Sequence, residues 1–217
     1  MIIAITDRKI SAKRDFLEQM EAVAGSSPDM IILREKDISE PEYRYLAVEC
    51  LRICSYSGVK FCVNSFLRTA SAIGCGRVQI SFGQLTAEAG ALKGFKEIWV
   101  SVHSPREALA AEAAGATHLI YGNVFETSCK PGAAGKGVNE LRDVCGMVNI
   151  PVFAVGGIDL RTAGPAIGAG CSGICVRSLL MGSENPWGEM EELRRICGKR
   201  TDGPQNKRQG RILSERD

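Results

Sequence analysis

The feature that most constrains this fold is a short, apolar, strand-like run that recurs eight times along the chain. The runs are IIAI (2–5), MIILR (30–34), KFCVN (60–64), RVQI (77–80), IWVSV (98–102), HLIYG (118–122), VFAVG (152–156) and GICV (173–176). Helical patterns lie between most of the runs, at residues 11–24, 40–56, 104–114, 138–147, 159–168 and 186–198. One of these helices opens with Ser104, Pro105 and Glu107, which fit an N-cap, a first helical position and an acidic first turn.

Strands that alternate with helices over about 200 residues predict a parallel sheet with helical crossovers. An open, doubly wound sheet is one form of it. Eight near-regular repeats, without a GxGxxG after the first strand, favour the other form, a small single-domain (β/α)8 TIM barrel over residues 1–197. The remaining residues, 198–217, are basic and poor in apolar side chains, so we expect a flexible tail.

Composition excludes several classes of function. A formal net charge of +2 is too small to indicate a nucleic-acid partner. No apolar run approaches the ~20 residues that span a bilayer, and the N-terminus lacks the pattern of a signal peptide. None of the nine cysteines has the spacing of a zinc site, so we expect reduced thiols and a cytoplasmic protein. The sequence indicates no metal and leaves a homo-oligomer open.

Polar side chains cluster where the predicted strands end, and the carboxyl ends of barrel strands form the usual active-site mouth. Gly156 and Gly157 follow the seventh strand, and Arg177 and Ser178 follow the eighth, which predicts a phosphate site. Arg34 and Lys36 after the second strand suit a second anionic group, and the Glu35 carboxylate could hold them or move a proton. The alternatives without a ligand are that the glycines only form a tight turn and that the charged residues only form an ion pair at the strand end.

Several segments together resemble the thiamine phosphate synthase/TenI superfamily over residues 1–197. They are AITDR, LREKD, VNS, SVHSPREA, the stretch 115–132, PVFAVGGI and AGCSGICVRS. The resemblance implies a small barrel that binds a thiazole phosphate or thiamine phosphate. It also implies further substrate-binding residues at Asn64, Ser101, Thr127, Ser128, Cys129 and Lys130.

The branch within this superfamily depends on a few positions. The synthases join a pyrimidine diphosphate to a thiazole phosphate carboxylate with Mg²⁺ held by two aspartates, and the matching positions here read Ser65 and Thr86. Two more positions of the synthase pattern read Ile32 and Cys129. The TenI branch, which isomerises the thiazole without metal, is therefore the preferred interpretation, with no cofactor. The synthase, with Mg²⁺, is the alternative, and a non-catalytic ligand-binding regulator is another.

The resemblance does not identify a proton carrier for such a tautomerase, because Asn123 stands where the branch has its acid/base histidine. An amide does not titrate near neutral pH, so Asn123 could orient substrate but not carry a proton. His103, at the end of the fifth strand, is one other catalytic candidate, and Glu35 and Glu126 are the carboxylate candidates. Lys130 could also supply a proton if burial lowered its pKa. His118 lies near the start of the sixth strand and is expected to be structural.

Overall fold

Eight parallel strands close into a barrel in the computed structural model, which describes residues 1–10, 13–127 and 134–198. The strands pair in chain order, and β8 pairs with β1, so the predicted (β/α)8 barrel is confirmed. They are β1 (Ile2–Ile5), β2 (Met30–Leu33), β3 (Lys60–Asn64), β4 (Arg77–Ser81), β5 (Glu97–Val102), β6 (His118–Gly122), β7 (Val152–Val155) and β8 (Gly173–Val176).

The described residues hold nine α-helices on the outside of the barrel. They are α1 (Phe16–Gly25), α2 (Glu40–Tyr56), α3 (Leu67–Ala72), α4 (Phe82–Ala87), α5 (Pro105–Ala113), α6 (Gly137–Met147), α7 (Ala163–Gly168), α8 (Ser178–Met181) and α9 (Pro186–Gly198). The sequence did not predict α3, α4 and α8, because helices of 6, 6 and 4 residues are too short to show a periodic apolar face.

Two predicted helices begin later than expected. The helix predicted from residue 11 starts at Phe16, because Asp15 accepts the Glu18 N–H and Glu18 accepts the Asp15 N–H in a capping box. The helix predicted from residue 159 starts at Ala163, because Asp159 and Thr162 form the turn before it. There the Thr162 N–H donates to Asp159 Oδ1 at 2.9 Å, and the Asp159 N–H donates to Thr162 Oγ1 at 2.8 Å.

The core has two layers that follow the period-two alternation of the strands. One layer packs between the sheet and the helices, and the other fills the barrel interior. The interior layer consists of Ile3, Ile5, Met30, Ile32, Cys62, Trp99, Ile120, Phe153 and Cys175. His118 stacks on Trp99 with ring centroids 4.0 Å apart, at the strand ends opposite the predicted mouth. Burial lowers the pKa of His118, in accord with the structural role expected for it.

The eight cysteines among the described residues are free thiols, and most are buried. Desolvation raises the pKa of the Cys54 thiol to about 12, so such groups pack as small apolar side chains. Within the described ranges, no helix combines the length and apolar character needed to cross a membrane. The predicted tail lies outside the described residues apart from Gly198, the last residue of α9.

Candidate active site

Two arginines follow the strands that flank β1, at one side of the barrel mouth. Arg177 follows β8, and its Nη1 lies 3.2 Å from Oδ2 of Asp7, which follows β1. Arg34 follows β2 and is half-buried. Burial lowers the pKa of Arg34, and the positive charge of Arg177 lowers it further, while Asp7 opposes the shift. The two predicted anion-binding arginines therefore lie on either side of the β1 exit and repel each other electrostatically.

Glu35 is buried beside this cluster and bonds to the β1 exit. Its carboxylate accepts the hydroxyl of Thr6 at 2.7 Å and the N–H of Arg8 at 3.2 and 3.3 Å. Desolvation raises the pKa of Glu35, and the bonds from Thr6 and Arg8 oppose part of that shift. Its hydrogen bonds go to Thr6 and Arg8 at the β1 exit, so the geometry favours an anchor for that turn over the predicted proton carrier.

Polar side chains of three consecutive strands, β3, β4 and β5, are linked by hydrogen bonds below the mouth. Asn64 Nδ2 donates to Gln79 Oε1 at 2.6 Å, and Gln79 Nε2 donates to Ser101 Oγ at 2.8 Å. Tyr43 on α2 fixes one end, since its hydroxyl accepts the Asn64 N–H at 3.0 Å. Asn64 and Ser101 were predicted site residues, and the structure connects them. Gln79 was missed, although its place in the alternating run RVQIS marks it as inward-facing.

His103 lies at the β5 exit and bonds to the β6 exit. Its Nδ1 is 2.6 Å from the carbonyl oxygen of Gly122, and its main-chain N–H donates to Glu107. A carbonyl oxygen only accepts, so Nδ1 carries a hydrogen, and in the neutral ring Nε2 is the basic nitrogen. The side chain is exposed, and it follows Trp99 and Ser101 on the inward side of β5.

The segment after β6 packs directly on the glycine turn after β7. The Val124 N–H donates to Val155 O at 2.9 Å, and the Phe125 N–H donates to Gly156 O at 3.0 Å. A Cβ at Gly156 would overlap Asn123, and one at Gly157 would lie 2.7 Å from Phe125 Cβ. Both glycines have positive φ, 96° and 63°. The absence of side chains at these two glycines therefore allows the segment after β6 to pack closely on them, whether or not they also bind a ligand.

The remaining predicted residues occupy different places. Ser178 is the exposed first residue of α8, and Lys36 is exposed after β2. Thr127 ends the described part of the segment after β6. The predicted contacts of Ser128, Cys129 and Lys130 lie outside the described residues.

The positions matched to metal-binding aspartates do not fit a magnesium ion. Gln84 Nε2 donates to the main-chain oxygen of Ser65 at 2.7 Å, and Thr86 Oγ1 bonds within its own helix to Gly83 O at 2.9 Å. The side chain that reaches the main chain of Ser65 is thus that of Gln84, while the Thr86 hydroxyl is bonded within its own helix. Neither an amide nor a hydroxyl supplies the charge that Mg²⁺ binding needs. The described ranges contain no cluster of three or more His, Cys, Asp or Glu suited to a metal.

Fold and site together define a single-barrel protein of the (β/α)8 class with cationic and amide groups at the carboxyl ends of its strands. The chain belongs to the thiamine monophosphate synthase (TMP-TENI) family, whose model matches residues 2–180. The superfamily resemblance seen in the sequence is therefore confirmed.

Two similar proteins are named thiamine-phosphate synthase, and a similar solved structure is a thiamine phosphate pyrophosphorylase. A thiamine-phosphate synthase of Clostridium acetobutylicum is 32% identical over 182 residues, which are 83% of this chain and 86% of that protein. Another, of Pyrococcus horikoshii, is 33% identical over 193 residues, 88% of this chain and 92% of that protein. The solved thiamine phosphate pyrophosphorylase of Pyrococcus furiosus superposes with a TM-score of 0.79 at 29% identity, covering 91% of this chain and 95% of that one.

Proposed function

We propose that this chain binds a phosphorylated thiazole at the barrel mouth and forms thiamine phosphate from it, the reaction for which its relatives are named. The placement of Arg34 and Arg177 at the exits of β2 and β8, with the glycine turn following β7 next to β8, carries this proposal. The names of the relatives favour this joining reaction over the isomerisation that the sequence resemblance put first.

The chain's own groups suit binding and charge neutralisation. Joining a pyrimidine diphosphate to a thiazole expels diphosphate, so cations must neutralise the leaving group. Arg34 and Lys36 at the β2 exit and Arg177 at the β8 exit supply positive charge there. The buried amides of Asn64 and Gln79 present a fixed polar floor below the mouth, which can orient a ring with hydrogen-bonding edges.

A metal-independent isomerisation, the thiazole tautomerase reaction, is the second candidate. The observation that favours it is the bond between Gln84 and Ser65, where synthases of this superfamily are expected to hold metal. Isomerisation moves one proton off the substrate and another onto it, and the basic Nε2 of His103 could carry it. Asn123 cannot carry a proton, because an amide does not titrate near neutral pH. A ligand-binding regulator without activity is therefore the third candidate.

One set of assays separates the three. Purified protein is given pyrimidine diphosphate and thiazole phosphate carboxylate, with Mg²⁺ or with a chelator, and thiamine phosphate is measured by its fluorescent oxidation product. In parallel, the exocyclic-alkene thiazole is given alone and its aromatisation is followed by absorbance.

Thiamine phosphate formation well above the uncatalysed rate is the expected result. Aromatisation without joining would replace the proposal by the tautomerase. Tight binding of thiazole phosphate with neither reaction would leave the regulator.

A further inference from the structure

A carboxylate lies among the cations of the mouth. Oδ2 of Asp7 is 3.2 Å from Nη1 of Arg177, and the two side chains are only 20% and 21% exposed. The negative charge of Asp7 also stabilises the charged form of Arg34, which the positive charge of Arg177 disfavours. Asp7 is therefore ion-paired with one arginine of the mouth and interacts electrostatically with the other.

The structure fixes Asp7 through the residues on either side of it. Thr6 donates its hydroxyl to Glu35 Oε1 at 2.7 Å, and Arg8 donates its N–H to the same carboxylate. The Arg34 N–H donates to Thr6 Oγ1 at 2.9 Å, which ties the turn to β2. Because Glu35 is only 3% exposed, solvent competes little for these bonds.

We propose that Asp7 is an internal counter-ion that weakens the binding of simple anions at the mouth, and that Glu35 is the positioning residue that keeps Asp7 there. The inference rests on the anion site of the proposed function, though not on its reaction. An arriving phosphate shares Arg177 with Asp7 and meets the negative charge of Asp7 at short range. A substrate with further contacts overcomes that repulsion, whereas inorganic phosphate has none to offer. The mouth thereby selects the substrate over small anions.

The competing explanation is that Asp7 only orients Arg177 and so strengthens anion binding. The two explanations predict opposite signs. Inorganic phosphate is titrated calorimetrically, at pH 7.5 and low salt, into wild type, Asp7→Asn, Glu35→Gln and the double variant. We expect Asp7→Asn to bind phosphate about tenfold more tightly and Glu35→Gln about threefold more tightly.

The double variant tests whether Glu35 acts through Asp7. If it does, adding Glu35→Gln to Asp7→Asn changes the affinity no further, because the turn then holds no counter-ion. Additive effects of the two substitutions would overturn the positioning role. Should Glu35→Gln not fold, Thr6→Val removes the hydroxyl that joins the turn to Glu35 and is expected to give the same tightening.

Asp37→Asn is the matched control. Asp37 Oδ2 pairs with Arg8 and Lys9 at 2.7 and 2.8 Å, close to the same turn, whereas the carboxylate paired with Arg177 is that of Asp7. Its neutralisation is expected to change phosphate affinity by less than about twofold. An equal tightening in Asp37→Asn would indicate a general charge effect and overturn the inference, as would weaker binding in Asp7→Asn or no binding in wild type and Asp7→Asn alike.

The result is independent of catalysis. If Asp7→Asn binds phosphate more tightly while no variant forms thiamine phosphate or aromatises the thiazole, the inference holds and the proposed function fails. If the protein is active and Asp7→Asn leaves phosphate affinity unchanged, the inference alone fails.

Discussion

The side-chain amide of Gln84 donates to the main-chain oxygen of Ser65 across 2.7 Å and so joins the exits of β3 and β4. Ser65 has a φ of 63°, in the left-handed region that Asn and Asp tolerate better than most residues. Positions 65 and 84 are therefore close enough for carboxylates placed there to bind one magnesium ion together.

We expect Ser65→Asp combined with Gln84→Asp to bind Mg²⁺ more tightly than the wild type does, because carboxylates at both positions would place two hard oxygen ligands close together. Calorimetric titration with MgCl2 measures it. The control is Ser65→Asp with Thr86→Asp, since Thr86 bonds within its own helix. Equal Mg²⁺ affinity in both double variants would show that Gln84 is not the facing position.

Replacing His103 tests the basic nitrogen at the β5 exit. Asparagine can still donate to Gly122 O but has no basic nitrogen, so we expect His103→Asn to lower the rate of thiazole aromatisation by about 100-fold, the usual scale for losing an acid/base group. Affinity for inorganic phosphate should stay within about twofold of wild type. His118→Asn, at the other end of the strands, is the control and should keep the rate. An unchanged rate in His103→Asn would remove His103 from proton transfer.

Gly157 tests the packing of the segment after β6 on the turn after β7. We expect Gly157→Ala to lower the free energy of unfolding by about 3 kcal/mol, because its Cβ would meet Phe125 and the Glu126 carbonyl. Gly58→Ala is the matched control: its φ of 68° is similar, nothing lies within 4 Å, and the expected loss is about 1 kcal/mol. Urea denaturation measures both. Equal losses would contradict the close approach at Gly157.

Glu35 gives stability a pH dependence of known sign. Desolvation raises the pKa of its carboxyl above the ordinary value of 4.5, so between that value and the raised one the folded chain binds more protons than the unfolded chain. The contribution of Glu35 to the free energy of unfolding therefore falls as pH rises through this window and is constant above it.

Glu35→Gln removes that titration. The stability of wild type relative to Glu35→Gln should decrease from pH 4 to pH 7, as measured by urea denaturation at each pH, while all other groups titrate alike in both proteins. A difference that grows with pH would mean that the folded state favours the charged carboxylate.

The strands could be predicted almost to the residue, because runs such as IIAI and HLIYG are apolar, β-branched and separated by helical patterns. Their order around the barrel followed from the repeat. Local signals also fixed α2 and α5, each with a serine cap and an early proline. The short helices α3, α4 and α8 could not be predicted, because they are too short to show a periodic apolar face.

The site was predicted as a set of residues but not as a set of contacts. That Arg34 and Arg177 lie at the same side of the mouth depends on β1 pairing with both β2 and β8, which joins residues far apart in the chain. The role of Glu35 depends on hydrogen bonds to Thr6 and Arg8, 29 and 27 residues away. A linear pattern shows charge at a strand end, whereas the direction of a side chain is decided by packing against the neighbouring strand.

Closure of the sheet by β1 and β8 has a consequence for the growing polypeptide on the ribosome. Ile2, Ile3 and Ala4 pair with Ile174, Cys175 and Val176, so during synthesis one edge of β1 lacks its native partner until β8 has left the ribosome. The barrel can therefore close only after residue 176 has emerged.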